Sequence, residues 1–304
     1  MLLRNSRTRA WVIQGTLIVA LAAFAALIYL TTITNLERRG IPVGWDFLAE
    51  PSQVVVSESV LDHDPQFPAW RVIVVGLTNT LYVSALVIVL STVAGLIVGL
   101  MRLGSNPLSR WVAGAWVEIA RNFPPIVLLI FLYSLWWKFL PPVDQAGGWP
   151  GVIEVSMRGI ALPGPQWELS PELATVVVGL TLYTTGFIAE IVRAGVLAID
   201  KGQWEAGHAL GLKRAKILRL VVIPQALRVI VPPMNSQYIN VVKNSTLVIA
   251  VGYPDFLAVM NTLISKTSHS IEGVTIILAV YLSVNLALSL LANWYNSRLA
   301  RTAR

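Results

Sequence analysis

The chain has 304 residues, 55% of them hydrophobic and 13% charged, about half the charged share of an ordinary soluble domain. With a mean hydropathy of +0.67, that composition excludes a soluble enzyme, a disordered chain and a coiled coil. Cysteine is absent and the net charge is +7, so no disulfide framework, thiolate nucleophile or Cys-ligated metal is possible. In a soluble chain that charge would suggest nucleic acid, but here the placement of the basic residues accounts for it.

Arg4, Arg7 and Arg9 precede Trp11–Ile33, which runs 23 residues without a charge. This exceeds the roughly 7–15-residue apolar core of a signal peptide, and no small-x-small cleavage site stands directly before the polar Thr31-Thr32, where Ile28-Tyr29-Leu30 precede, so an uncleaved first helix is predicted. The next segment, 34–71, is polar and acidic and carries Pro42, Pro51, Pro65 and Pro68. Val72–Met101 follows with 30 uncharged residues. Trp111–Trp137 holds only Glu118 and Arg121. Leu140–Pro171, rich in Pro, Gly and Trp, has no helical or alternating period and, like 34–71, reads as an outer loop. Leu173–Ile199 holds Glu190 and Arg193. Val221–Val251 is apolar apart from Arg228 and Lys243, and Pro224 and Pro232-Pro233 predict breaks in it. Gly273–Ser297 closes the series with 25 uncharged residues. A bilayer needs about 20 apolar residues per helix, so six spans are predicted in a polytopic membrane protein.

Orientation follows from the Lys/Arg bias of the short loops. With the N-terminus in the cytoplasm, 16 of the 23 basic residues fall inside and 12 of the 16 acidic residues outside. Both termini are therefore expected to be cytoplasmic, and so is the loop from Asp200 to Pro224. From Gln203 to Leu210 this loop favours a short helix, which Gly211 stops in a left-handed cap. Trp204, Gly207, Ala209 and Leu210 are unusually apolar for an exposed loop, and small Ala206 and Gly207 allow another backbone close. A helix this short is marginal in water and normally borrows stability from a partner; the same features also fit a plain connector between two spans.

Glu205-Ala206-Gly207, then Gly211, then Val221, Ile223 and Pro224 resemble the "EAA" loop of importer-type ABC transporter permeases: E-A-A, three residues, G, nine residues, I-x-L-P. Gly207 stands for the third alanine, and Val221 and Ile223 for Ile and Leu. The words "GLTNTLYVS" (Gly76–Ser84), "VEIARNFPP" (Val117–Pro125), "AEIVRAGVLAIDKGQWEAGHALG" (Ala189–Gly211) and "PQALRVIVPPMNSQYINVVKNSTLVIAVGYPDF" (Pro224–Phe256) resemble the polar-amino-acid subfamily, with Phe123 replacing the usual Thr. "RRGIPVGWDFL" (Arg38–Leu48) after an extra first helix resembles the broad-specificity L-amino-acid permeases.

The resemblance implies an all-α membrane protein of about six transmembrane helices with the type I ABC importer permease fold. Residues 1–33 would be a tail and an extra helix, 34–71 a periplasmic segment, 72–298 the permease domain with its coupling loop at 200–224, and 299–304 a cytoplasmic tail. In such permeases the EAA loop forms a coupling helix seated in a groove of the ATPase. The implied partners are an ATPase homodimer, a second, paralogous permease subunit, a periplasmic solute-binding protein, an amino acid substrate and membrane lipid of a bacterial inner membrane, with no nucleic acid. No G-x-x-x-x-G-K-[ST] loop occurs in the chain, so ATP and Mg belong to the partner ATPase and no cofactor is expected on this chain.

Ionisable groups at membrane depth are candidates by default. Glu118/Arg121 and Glu190/Arg193 are spaced i,i+3 and can neutralise themselves; Glu190 is also a candidate for an amino acid's ammonium group. Lys243, Asn244, Ser245 and Thr246, following the expected Pro232-Pro233 break, are candidates for a substrate carboxylate, or else helix-packing groups. Asn79 and Thr80 stand in the same position. His63, His208 and His269 lie in separate loops and suggest no metal site. The rival class is a stand-alone proton-coupled secondary transporter using Glu190 or Glu118, against which stand the small number of spans and the partner-seeking loop. A membrane-embedded hydrolase would need a nucleophile–base pair that the sequence does not offer.

Overall fold

The structure, a computed structural model, describes residues 6–149, 153–161 and 168–301; Arg4 and Arg304, both among the 16 basic residues expected inside, lie outside them. Ten helices and four short strands follow in order: α1 Ser6–Arg38, α2 Ala69–Leu103, α3 Pro107–Asn122, α4 Pro125–Phe139, β1 Gly147–Trp149, β2 Ile153–Ser156, β3 Gly159–Ala161, β4 Glu168–Leu169, α5 Pro171–Leu197, α6 Lys201–Ala209, α7 Arg214–Ile217, α8 Ile223–Asn244, α9 Phe256–Thr267 and α10 Ser270–Arg301. Among the described residues five helical segments are long and apolar enough to cross a membrane, or six when α3 and α4 count as one bent span.

Helix α5 is the centre of the bundle, and α2 is its main neighbour. The two run in parallel, because Gly95 of α2 faces Ile188 of α5 while Gly99, one turn later, faces Ala189 and Val192. Glycine is required at this crossing: a Cβ on Gly99 would lie 2.9 Å from both the Ala189 carbonyl oxygen and Val192 Cβ. With little hydrophobic drive between helices in lipid, such close backbone approach supplies the packing. Val83 and Val87 of α2 and Val176, Val177 and Leu180 of α5 form one core with Leu129 of α4 and Val241 of α8. The hydrophobic window of α1, by contrast, has no buried residue, so its side chains lie outside the bundle core.

Two sequence expectations are corrected here. The third span is not one helix but α3 and α4, bent by 106°. Pro124 forces the residue before it out of the helical region, and Phe123 is accordingly extended at φ −91°, ψ 128°; Pro125 then starts α4. Conversely, no break occurs at Pro232-Pro233, which lie inside α8. Prolines are tolerated in membrane helices where neighbours satisfy the freed backbone groups. The irregularity falls earlier, in a π-helical turn at Leu218–Val222, just before Pro224, which has no N–H to continue the ladder.

The two segments expected to be outer loops are also more ordered than loops. Strands β1 to β4 form an antiparallel meander in chain order, paired for example at Val155 with Ile160. In the 34–71 segment, α1 continues to Arg38 and a 3-10 turn covers Asp46–Leu48. Phe47 and Val54 are buried with Ala69, Val72, Phe256 and Leu263. The Phe47 ring stacks on His269 at 4.4 Å, and the Gly44 N–H donates to Glu272 Oε1 at 2.7 Å. At the start of α9, Asp255 accepts the Ala258 N–H at 2.8 Å, and burial pushes its carboxyl up to about 6. The segment is thus a packed cap over the ends of α2, α9 and α10.

Candidate functional site

Helix α6 is closed at both ends by its own residues. Asp200 accepts the Gly202 N–H at 2.6 Å, satisfying one free donor of the first turn. At the other end Leu212 N–H donates to the Gly207 carbonyl at 3.1 Å and Gly211 N–H to that of His208 at 2.9 Å. This six-to-one, five-to-two pairing needs a left-handed residue between helix and exit, and Gly211 supplies it at φ +72°. The helix and cap expected from the sequence are therefore present, with the first turn starting at Lys201.

One face of α6 is held. Gly207 is buried, and a Cβ there would lie 2.7 Å from Ile217 Cγ1 and 2.9 Å from Cδ1; Ile217 of α7 is itself fully buried. The glycine in place of the third alanine of the E-A-A pattern is what lets α7 lie against α6. Gln225 Nε2 of α8 donates to Gln203 Oε1 at 3.2 Å, and the Arg214 guanidinium lies 5.9 Å from the centre of the Trp204 ring. The opposite face is free: Lys201, Glu205, Ala206 and Ala209 are exposed, and Leu210 is 78% exposed. Gly207→Ala is expected to cost about 1 kcal/mol net, since overpacking of about 1–3 kcal/mol is offset by about 1 kcal/mol of helix propensity. Ile217→Ala relieves the clash, so in a thermal-unfolding cycle the double variant should lose less than the two single losses summed. Strictly additive losses would mean that α6 and α7 do not meet there.

Within the bundle, Glu190 of α5 is shared by two guanidiniums. Arg193 donates Nη2 to Oε1 at 2.6 Å and Nε to Oε2 at 3.1 Å, and Arg102 at the end of α2 donates to Oε2. The i,i+3 pairing of Glu190 with Arg193 is as expected; the bond to Arg102, which crosses to a second helix, is not visible in local spacing. Glu190 also lines a cavity of about 110 Å³ with Arg121, Phe187, Ile191 and Gln237. Gln237 carries no signal of its own in the sequence, because it is one of several neutral polar residues (Asn235, Ser236, Asn240) in that stretch of α8 and belongs to no charged pair. The expected Glu118–Arg121 pair is not among the ion pairs of the described residues. Glu118 accepts instead from Asn122 Nδ2 at 3.3 Å, and Arg121 lies 5.7 Å from the Phe187 ring centre.

The profile of the family described as "Binding-protein-dependent transport system inner membrane component" matches residues 91–301, which takes in α6, Glu190 and the cavity. The chain belongs to that family. Over 99% of this chain and 96% of the relative, the permease is 34% identical to the putative amino-acid ABC transporter permease protein YhdX of Escherichia coli K12. It is 30% identical to the general L-amino acid transport system permease protein AapQ of Rhizobium johnstonii, over 94% of this chain and 91% of the relative. Among solved structures, one of an amino acid ABC transporter with histidines shares 27% identity and a TM-score of 0.62, over 75% of this chain and 94% of that one. The permease is thus the pore subunit of an ABC importer, with ATP hydrolysed by a separate subunit, and the rival reading as a proton-coupled secondary transporter is set aside.

Four of the other residues singled out in the sequence, Asn79, Thr80, Ser245 and Thr246, are tied to backbone. Asn79 of the permease is buried; its Oδ1 accepts the Val60 N–H at 3.0 Å, and its Nδ2 donates to the carbonyls of Glu58 at 3.0 Å and Pro254 at 2.9 Å. Thr80 Oγ1 accepts the Phe256 N–H at 3.0 Å. Ser245 and Thr246 donate to the carbonyls of Val242 at 2.7 Å and Lys243 at 2.8 Å, in the 3-10 turn that ends α8. Asn244 is half-buried and Lys243 exposed.

Proposed function

We propose that this permease imports L-amino acids across a bacterial inner membrane, with α6 as its coupling helix. The observation that carries the proposal is the shape of α6, a helix of nine residues capped at both ends, fixed on one face by Ile217 and bare on the other. A bare, rigid, small-residue face at the end of a short loop is what a groove on a cytoplasmic ATPase can accept. Closure of two ATPase chains displaces α6, and α7 and α8 carry the displacement into the bundle. The full assembly would hold a paralogous second permease, an ATPase homodimer using ATP and Mg, and a periplasmic binding protein that delivers solute. Amino acid specificity rests on the relatives named above.

The solute path is assigned to the cavity beside Glu190. With Glu190 already neutralised by Arg102 and Arg193, its part is to hold the wall of that cavity. The exposed Lys243, with Asn244, Ser245 and Thr246 beside it, is assigned to the outer end of the path, while Asn79 and Thr80 fix the outer cap. The tagged chain purified from native membranes is expected to bring an ATPase and a second permease with it, with ATP hydrolysis stimulated by a binding protein. A lone chain would overturn the assembly.

Sidedness has its own test. Because the chain has no native cysteine, Lys201→Cys gives one thiol on the exposed face of α6. It is expected to react with a membrane-impermeant maleimide only in inverted vesicles, and labelling of intact cells would reverse the topology.

A further inference from the structure

Beside α6 the structure carries a concentration of charge that the coupling role leaves unused. Lys213, Arg214, Lys216 and Arg219 fall within seven residues and are all exposed, while Ile217 between them is buried. No acidic residue occurs between Glu205 and Asp255. Among the described residues no ion pair involves any of these four cations, so no carboxylate compensates them there. The surface then becomes largely apolar: Leu220 is 63% exposed, followed by exposed Ile223 and Leu227, with Arg228 the one further cation before Lys243, at the start of a helical segment long enough to cross a membrane. Cations giving way to bare aliphatic side chains along one helix match the boundary between headgroups and acyl chains, and a cluster of four or more Lys/Arg beside a span attracts anionic lipid.

We propose that Lys213, Arg214, Lys216 and Arg219 form a docking surface for the phosphate headgroups of anionic phospholipid, with Leu220 and Ile223 against the acyl chains. The proposal rests on α6 and α7 lying at the cytoplasmic face. Ile217 of the same turn packs on Gly207, so lipid held there also fixes the base of α6.

The assembled transporter is placed in nanodiscs of phosphatidylcholine with phosphatidylglycerol, and the lipid retained by the permease chain is counted by native mass spectrometry. The native protein is expected to retain phosphatidylglycerol in excess of its share, and added salt to reduce the excess by screening. The variant K213Q/R214Q/K216Q/R219Q should lose at least about tenfold of this preference, given roughly fivefold per cation near an anionic surface. The charge-preserving K213R/K216R should keep it, as should K138Q/K266Q, altered elsewhere. Inorganic phosphate that competes fully without any lipid preference would mark an ion site and overturn the lipid assignment. Unchanged phosphatidylglycerol retention in the quadruple variant would overturn it too, and if ATPase co-purification then fails, the cations belong to the protein interface. ATPase binding is read separately by co-purification, so failure of the coupling role and failure of the lipid surface are distinguishable. Should the quadruple variant not fold, the salt series on the native protein decides: a preference indifferent to salt overturns the proposal.

Discussion

Glu205→Arg is expected to detach the ATPase while leaving the permease folded. Glu205 stands on the exposed side of α6, one turn after Lys201 and one before Ala209, and is exposed. Among the described residues none forms a hydrogen bond or ion pair with its side chain, so thermal unfolding of the variant should match the native protein. At a docked interface, by contrast, charge reversal places a cation where a carboxylate was accommodated, and like-charge or unpaired contacts there cost several kcal/mol. Co-purification of the ATPase should fall by about thirtyfold or more, and uptake with it. Glu205→Gln, which keeps shape without charge, should retain an intermediate amount. Native levels of ATPase on the Glu205→Arg variant would remove α6 from the coupling role.

Glu190→Gln is expected to act first on stability. Arg102, Glu190 and Arg193 keep only 19%, 25% and 31% of their side-chain surface exposed, so solvent screens them incompletely. Removing the one negative charge leaves two guanidiniums facing each other with a neutral amide between. Breaking a fully buried pair costs about 3–5 kcal/mol; with this residual exposure the loss should be about 2 kcal/mol. Unfolding in detergent should shift accordingly, and Arg102→Gln added to Glu190→Gln should recover part of the loss. Uptake should fall together with stability. If instead the variant unfolds like the native protein and only uptake fails, Glu190 meets the solute and is not part of the wall.

What could be read from the sequence divides by distance along the chain. The α6 helix, its Gly211 cap and the long uncharged spans depend on neighbours within a turn or two, and residue order records them directly. The 106° bend between α3 and α4 was also written locally, in Pro124-Pro125, but a hydropathy window averages over it. The meander was hidden because its strands are two to four residues long, too short for alternation to register. The roles of Asn79 and Glu190 were ambiguous for another reason. Their partners Pro254 and Arg102 lie 175 and 88 residues away, and a buried polar group looks the same in sequence whether it meets a ligand or a backbone carbonyl. Gly207 illustrates the converse: its smallness is legible locally, but that Ile217, ten residues on, packs against it is not.

The parallel crossing of α2 and α5 has a mechanical consequence. Gly95 and Gly99 leave no slack between the two backbones, and Arg102 to Glu190 bolts the last turn of α2 to α5. The pair can only swing as one stiff beam. Flexure during a transport cycle must therefore be borne by the joints on either side of it, the elbow at Phe123–Pro125 and the widened turn at Leu218–Val222, and it is there that a cross-link should freeze the pore.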